Sequence, residues 1–525
     1  MPSIKLQKLG EIGLIKDIPQ QDIPVNAWAE SDRVEFNYGV VRSNKGYSRS
    51  TAIGSLSTTP HFILTSKDVN DTDYLVYASN TKIFGFLNST HTNLTRTAAG
   101  ADFDYSASSF NAWQACHING NLILNNGSDI PQFWLSASST PRFANLTGWS
   151  STWRANSIRS FNNYLIAVNI KKDLVNLPQM VKWSTSASAG AIPISWDELS
   201  LTLDAGEVEL ADSPDHCVDS LQLRDAHIIY KEFSTWGMRF IGFPNIFQFY
   251  KIFGNSGIMA KNCVGELDDK HYVLTQTDFI VHDGNSFRSL IDQILKDYIF
   301  SNLDAETKVN CFVHINTLDK LVILGLPFAS TYPNTLLIYD TRFNTFSKYG
   351  ITPIYNIAGQ GSITTGATWD SDSGIWDNDS SIWNDDATLT RLLLAGKEAS
   401  PSVLAIFNST LAESASFTAT LSREGLSFID SSFEQTNETV KRINYILPDI
   451  SSSTGVNVIF EVGTKQNYYD TIDWGTPRTY TIGTSNELWF FATGRYFGFR
   501  ISSISQDSWE LKSMNVDIQP VGTYF

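Results

Sequence analysis

Short apolar segments alternate with polar turns along most of the chain, and this pattern predicts β-strands. A unit of two apolar strands joined by a tight turn recurs from about residue 59. In residues 114–124 (QACHINGNLIL), for example, Asn119–Gly120 is typical of a hairpin turn. Related units occupy residues 74–86, 157–168, 220–230, 265–285 and 311–324, and residues 391–407 are a candidate seventh. Repetition at this spacing is typical of the blades of a β-propeller.

The pattern changes at both ends of the repeated region. Residues 1–50 predict an extended N-terminal lead-in, because Pro19 and Pro24 disfavour helix in the residues before them. Within it, residues 33–41 (RVEFNYGVV) alternate as one strand does. Residues 413–525 show well-separated alternating segments that predict an antiparallel β-sandwich.

We therefore expect an all-β fold with a β-propeller over residues 51–412 and a C-terminal β-sandwich over residues 413–525. The propeller has six predicted blades and the candidate seventh. A stack of β-sandwich domains is the alternative architecture. One segment departs from the β pattern, because residues 289–299 place their apolar side chains on one face of a short helix. These side chains are Leu290, Ile291, Ile294, Leu295 and Tyr298.

The charge balance restricts the partners of the protein. The chain has 525 residues and a formal net charge of −16. Tight binding to nucleic acid requires basic groups that neutralise phosphates, so we expect this protein not to hold DNA tightly, although it could line a passage through which DNA slides. The same acidity argues against stable association with anionic membranes. The first eight residues lack the apolar core of a signal peptide, which predicts assembly in a cytoplasm.

The four cysteines are predicted to be buried free thiols. Cys116, Cys217, Cys263 and Cys311 lie in apolar surroundings and form no C-x-x-C pair. Three of them have a histidine nearby, but no second ligand pair stands at the spacing of a zinc site. The eight histidines are scattered along the chain, and we expect structural roles for them.

An acidic, tryptophan-containing loop is the best candidate for a ligand site. Trp369, Trp376 and Trp383 recur every seven residues with acidic neighbours. Carboxylate oxygens are the ligands that calcium prefers, and the candidates are Asp370, Asp372, Asp377 and Asp379. Their spacing departs from that of an EF-hand loop. A glycan-binding aromatic platform and an exposed contact loop are the other interpretations, and we predict no cofactor.

Motifs that mark catalysis are missing from the sequence. It contains no phosphate-binding G-x-x-x-x-G-K-[ST] loop, no H-E-x-x-H and no G-x-S-x-G. A pair of carboxylates for glycoside hydrolysis needs only spatial proximity, so sequence cannot select one among 54 acidic residues. We expect a protein that is not an enzyme.

Several segments resemble the tail nozzle and hub proteins of short-tailed bacteriophages. The resemblance covers residues 9–17, 23–28 and 33–39 near the N-terminus, residues 338–347, and the tryptophan repeat at 368–383. It extends to the C-terminal residues 494–501 and 509–522. No single motif in it is diagnostic, and residues 31–36 (SDRVEF) depart slightly from the family pattern.

The resemblance implies a structural subunit of the virion tail, related to packaged-DNA stabilisation proteins. Such a subunit would form a homohexameric ring that lines, retains and passes the viral DNA during ejection. Its partners would be further copies of itself, portal and adaptor proteins, and tail fibres, and it would be assembled in the host cytoplasm. The alternative function is that of a glycan-binding or glycan-cleaving propeller, such as a receptor-binding protein. A bacterial surface adhesin is disfavoured, because no signal peptide is predicted.

Overall fold

The computed structural model describes most of the chain. The described residues are 3–50, 53–67, 73–87, 90–108, 112–135, 142–200, 202–364, 389–409, 411–413, 415–416, 418–428, 439–504 and 508–523. No helix among them is long and apolar enough to cross a membrane.

Seven short strands lie in the N-terminal segment. They are β1 (Ser3–Gln7), β2 (Gly13–Leu14), β3 (Ala27–Trp28), β4 (Glu30–Asp32), β5 (Val34–Asn37), β6 (Val40–Ser43) and β7 (Gly46–Arg49). The single strand predicted over residues 33–41 is wrong, because β5 and β6 form a hairpin. Tyr38 and Gly39 have φ values of 53° and 75°, which reverse the chain as a type I′ turn requires.

The described residues then form four consecutive antiparallel strands in each of four blades. Blade 1 contains β8 (Phe62–Lys67), β9 (Asp73–Ala78), β10 (Ile83–Leu87) and β11 (Thr90–Asn93). A small ladder of β12 (Thr97–Ala98) and β13 (Ala101–Asp102) follows. Blade 2 contains β14 (Gln114–Ile118), β15 (Asn121–Asn125), β16 (Gln132–Trp134) and β17 (Ala144–Asn145). Blade 3 contains β18 (Arg154–Phe161), β19 (Tyr164–Lys172), β20 (Val175–Trp183) and β21 (Gly206–Glu209). Blade 4 contains β22 (Cys217–Leu223), β23 (Ala226–Lys231), β24 (Thr235–Phe240) and β25 (Phe247–Phe253).

Three further blades complete the propeller. Blade 5 contains β26 (Val264–Leu267), β27 (Lys270–Leu274), β28 (Phe279–His282) and β29 (Phe287–Ser289). Helix α1 (Lys296–Ser301) and a 3-10 turn (Lys308–Asn310) lead to blade 6, with β30 (Phe312–Asn316), β31 (Leu321–Leu326), β32 (Thr335–Asp340) and β33 (Thr345–Gly350). Strands β2 and β3 extend the edge of blade 6 at β33. Blade 7 contains β34 (Ile354–Thr364), β35 (Leu389–Lys397) and β36 (Val403–Ser409), and β7 is its fourth strand.

The ring closes between blade 7 and blade 1. The Asn356 side chain accepts the amide proton of Ile63 and donates to its carbonyl, at 3.0 Å each. The Thr65 hydroxyl donates to the carbonyl of Gly359 at 2.8 Å. Because β7 comes from the N-terminal segment and β36 from the other end of the propeller, their pairing fastens the two ends of the ring together. The fold class predicted from sequence, a propeller with a C-terminal sandwich, is confirmed, and the candidate seventh blade is present.

The C-terminal part is a sandwich of two sheets. Its strands are β37 (Thr418–Leu426), β38 (Thr439–Ser451), β39 (Asn457–Lys465), β40 (Asp473–Trp474), β41 (Arg478–Thr481), β42 (Leu488–Gly494), β43 (Tyr496–Ile504) and β44 (Glu510–Thr523). One sheet has the order β42-β38-β44-β6-β5, with β1 also paired to β44. The other has the order β4-β37-β43-β39-β40, with β41 paired to β39. Ile443 and Val516 of the first sheet share a buried core with Leu421 and Ile501 of the second.

The N-terminal segment joins the sandwich to the propeller. Strands β1, β4, β5 and β6 belong to the sandwich, whereas β2, β3 and β7 belong to blades 6 and 7. At the junction the Asp32 carboxylate accepts the amide proton of Gly350 at 2.7 Å. The buried Arg423 donates to the carbonyls of Ile23, Pro24 and Ala27. One continuous apolar core therefore runs from blades 4–6 through this segment into the sandwich.

The helix is shorter than predicted and begins later. Gln293 has a φ of 58°, so residues 291–295 form turns instead of helix, and α1 begins at Lys296. The Asp17 carboxylate accepts the amide protons of Asp297 and Tyr298 at 2.8 and 3.0 Å, which satisfies two donors of the first turn. Of the five apolar side chains predicted to lie on one face of the helix, Leu290, Ile291 and Leu295 are buried.

Candidate functional site

The acidic tryptophan loop lies outside the described residues. Asp370, Asp372, Asp377 and Asp379, the candidate calcium ligands, fall within residues 365–388, between β34 and β35. Elsewhere in the described part of the chain, no group of three or more His, Cys, Asp or Glu side chains is placed to hold a metal ion.

The four cysteines are buried free thiols, as predicted. Burial raises the pKa of the Cys116 and Cys311 thiols to about 12. The thiolate is the nucleophilic form, so these groups are unreactive at neutral pH. The Cys263 thiol donates to the carbonyl of Cys311 at 3.3 Å, which links blades 5 and 6.

Several histidines are interior packing groups. The hydroxyl of Tyr230 lies 2.6 Å from both His271 Nδ1 and His282 Nε2, between blades 4 and 5. Burial lowers the pKa of His271 to about 3 and that of His282 to about 4, so both are neutral at pH 7. They serve as hydrogen-bonding members of the core.

A cavity of about 630 Å³ lies on the propeller axis. Its lining includes residues from the first strand of all seven blades, such as Ile63, Val218 and Ile357. Residues from the turns between second and third strands, such as Glu232 and Gln276, complete it. Antiparallel strands bring both sets to one end of each blade, so the cavity belongs to the face where the first strands begin. We call this cavity the axial pocket.

A buried ion pair lies behind one wall of the axial pocket, to which Arg159 contributes as a lining residue. The Asp219 carboxylate is 0% exposed and lies 2.9 Å from Arg159 Nη2. It also accepts protons from the Gln114 amide and the Ser157 hydroxyl, both at 2.8 Å, and from the Asn262 backbone at 3.0 Å. Burial favours the neutral acid, but the Arg159 charge and these hydrogen bonds outweigh burial and lower the pKa of Asp219 to about 2. This network fixes blades 2–5 around the axis.

Two lysines line the axial pocket without a carboxylate partner. Lys261 Nζ donates to the carbonyls of Ala112 and Asn156 at 3.2 and 3.1 Å, and Lys308 Nζ donates to the Gln276 side chain at 3.0 Å. Among the described residues, no carboxylate lies within 4.0 Å of either ammonium group. Burial lowers the pKa of Lys261 to about 8, which leaves it mostly protonated at pH 7.

An aromatic wall lies on the other side of the axial pocket. The rings of His61 and Tyr355 are 4.3 Å apart, and Tyr332 meets Tyr355 edge-on at 4.6 Å. His61 Nδ1 and His314 Nε2 are buried ring nitrogens for which the described residues provide no hydrogen-bond partner. Burial lowers the pKa of His314 to about 4, so its imidazole is neutral.

The axial pocket does not appear as a pattern in the sequence. Its residues come from strands that are far apart in the chain, and only closure of the ring brings them together. One signal was present: Arg159 and Asp219 are charged residues in the interior of strands. A charge at such a position must be paired, which could have marked both residues.

A second feature is an exposed apolar surface on blades 3 and 4, at the face opposite the axial pocket. The loop before β21 and the loop between β24 and β25 meet at Tyr164. This tyrosine donates to Asp204 at 2.9 Å and contacts the ring of Phe240. Exposed apolar side chains at this place include Leu199 and Leu203 of the first loop, Phe240 at the end of β24, and Ile241 and Phe243 of the second loop. We call them the blade 3–4 apolar surface.

The fold and these surfaces define a seven-bladed β-propeller fused to a β-sandwich. No protein-family model matches the chain, and no curated protein does. Similar solved structures include the extracellular domain of the one component system BT4673 from B. thetaiotaomicron, at 8% identity and a TM-score of 0.40 over 88% of this chain and 58% of that domain. This chain thus spans little more than half of that domain's length. YCF48 from Cyanidioschyzon merolae matches at 7% identity and a TM-score of 0.37, over 69% of this chain and 98% of that one. Apo AztD from Citrobacter koseri matches at 10% identity and a TM-score of 0.31, over 56% and 74%. At this level of similarity these structures carry no inference about function.

Proposed function

We propose that the protein is a structural subunit of a short-tailed phage tail, which assembles into a homohexameric ring through which DNA passes. The blade 3–4 apolar surface is the observation that supports assembly. Leu199 is 84% exposed and Phe243 is 86% exposed, on adjacent loops of neighbouring blades. Exposed apolar side chains on two loops that approach each other are suited to a protein–protein contact, because leaving them in water has a free-energy cost.

The rest of the fold suits a passive ring. The propeller is closed, and residues of the N-terminal segment fasten it both to itself and to the sandwich. Closed sheets leave few open edges, so the subunit resists deformation. A net charge of −16 opposes adhesion of DNA to the ring. In this role the protein needs no catalytic residue, and portal, adaptor and fibre proteins would bind its exposed loops.

Assembly of the purified full chain tests this function. We expect mass photometry and negative-stain electron microscopy to show rings of six copies with a central opening wide enough for duplex DNA. The double variant Leu199→Asp/Phe243→Asp places charges on the blade 3–4 apolar surface and should remain monomeric with an unchanged unfolding temperature.

The matched control is Leu174→Asp/Tyr469→Asp. Leu174 is 92% exposed at the tip of the β19–β20 hairpin, and Tyr469 is 100% exposed in the sandwich. This variant also replaces one exposed leucine and one exposed aromatic residue with aspartate, but outside the blade 3–4 apolar surface. It should still form rings. A wild-type chain that stays monomeric at every concentration, or a Leu199/Phe243 variant that assembles normally, would overturn the proposal.

A further inference from the structure

We infer that the axial pocket binds a small acidic sugar, with its carboxylate held by Lys261 and Lys308 and its ring packed on the aromatic wall. This inference is independent of ring assembly. The cavity of about 630 Å³ falls within the range of small-molecule sites in proteins. Three kinds of group in its lining point to this ligand.

The first is the pair of lysines. In a chain of net charge −16, a cation in a cleft normally attracts a carboxylate of the protein itself. Lys261 and Lys308 donate instead to neutral oxygens, and each ammonium has three donors, so at least one proton on each is left for a ligand. Glu232 is the one carboxylate among the lining residues, and the basic group beside it is His216, at 3.8 Å.

The second is a set of carboxamide oxygens. Asn156, Asn169 and Asn310 line the axial pocket, and each uses its side-chain NH₂ to donate to a backbone carbonyl. Their side-chain oxygens accept no hydrogen bond from any described residue. Sugar hydroxyls are donors, so these three oxygens are suited to a polyhydroxylated ligand.

The third is the aromatic wall of His61, Tyr332 and Tyr355, which offers an apolar face to the C–H groups of a sugar ring. An inorganic anion would use the lysines alone. A neutral sugar would leave the two charges uncompensated. An acidic sugar satisfies all three kinds of group together.

Ligand-observed NMR and calorimetry on the full chain test this inference, with D-glucuronate as the probe and D-glucose and inorganic phosphate as comparators. We expect glucuronate to bind and both comparators to bind at least about tenfold more weakly. Lys261→Met keeps the length of the side chain and removes its charge, and it should weaken glucuronate binding about tenfold or more. Lys308→Met should act in the same direction, and it tests the charge separately if Lys261→Met does not fold.

Two further variants provide a surface control and a test of the aromatic wall. Lys512→Met replaces an exposed lysine of the sandwich and should leave binding unchanged. Tyr355→Leu removes the central ring of the aromatic wall, which contacts both His61 and Tyr332, and should weaken glucuronate binding. Failure of glucuronate to bind, or unchanged binding in both pocket lysine variants, would overturn the inference. So would equal affinity for phosphate and glucuronate, because that result would identify a site for anions in general. These readouts do not depend on oligomeric state, so they are separate from the test of ring assembly.

Discussion

Asp219 connects four blades through its two carboxylate oxygens. Its partners are Gln114 of blade 2, Ser157 and Arg159 of blade 3, and the backbone of Asn262 at the start of blade 5. A buried charge is tolerated when it is paired and fully hydrogen-bonded, and removing one partner leaves the other uncompensated. At the scale of single residues, this pair holds the wall of the axial pocket in place.

Replacing Asp219 with asparagine should destabilise the protein strongly. The buried Arg159 would lose its counter-charge, so we expect the free energy of unfolding at pH 7 to fall by about 3–4 kcal/mol. Urea unfolding followed by tryptophan fluorescence measures this change. Asp225→Asn is the matched control on the same blade, because the Asp225 side chain is 78% exposed, and it should change stability by less than about 0.5 kcal/mol.

The destabilisation caused by Asp219→Asn should depend on pH. The pKa of Asp219 is about 2 in the folded protein and about 3.9 when unfolded. Its ionised form therefore contributes its full stability above about pH 4, and this contribution is lost as the pH falls through 2. The difference in free energy of unfolding between wild type and Asp219→Asn should therefore be constant from pH 5 to 8 and shrink below about pH 4. A difference that does not depend on pH down to acid conditions would show that the charge of Asp219 is not the stabilising feature.

At the scale of elements, β7 decides whether blade 7 is complete. Its Tyr47 is 6% exposed and packs in the core of blades 6 and 7, while its backbone pairs with β36. Without β7, β36 would present an open edge. The N-terminal segment that supplies β7 also supplies strands to the sandwich. Loss of β7 would therefore loosen blade 7 while its other three strands, β34, β35 and β36, stay in place.

Tyr47→Ala should lower the free energy of unfolding by about 3–4 kcal/mol, because it leaves a cavity where a buried aromatic ring was. Thermal unfolding gives the overall effect, and hydrogen exchange at β36 gives its location. Tyr469→Ala, at a fully exposed position in the sandwich, should be close to wild type. Equal unfolding temperatures for the two variants would mean that β7 does not stabilise the propeller.

At the scale of the whole molecule, charge and closure act together. The acidic chain closes into a rigid ring of blades, and the sandwich is fastened to blade 6 through the N-terminal segment. The basic groups of the axial pocket are recessed in a cavity of about 630 Å³, which is too small for a DNA duplex. The acidic charge of the outer surface therefore dominates the long-range electrostatic potential of the protein.

The intact protein should therefore not bind free DNA. Fluorescence anisotropy with a short labelled duplex should show no binding at physiological salt, and lowering the salt should not produce any, because weaker screening strengthens repulsion. A basic DNA-binding protein is the positive control, since its affinity rises steeply as salt falls. Binding that strengthens at low salt would contradict a passive role in DNA passage.

The sequence by itself determined the local order of this protein. Strand identity, two-residue turns such as Asn119–Gly120 and the change of pattern near residue 413 depend on neighbouring side chains, and each is visible in a short window. The same local reasoning predicted the fold class and the burial of the thiols. It failed at Tyr38 and Gln293, because left-handed backbone at residues other than glycine is set by packing and not by propensity.

Only the tertiary structure decided how the N-terminal segment is shared between two sheets and the propeller, and which residues face the axis. Pairing of β7 with β36 joins positions more than 350 residues apart, and no periodicity records such a contact. The axial pocket arises in the same way. Lys261, Lys308, Asn156 and Tyr355 are ordinary residues in their own segments, and ring closure places them around one cavity.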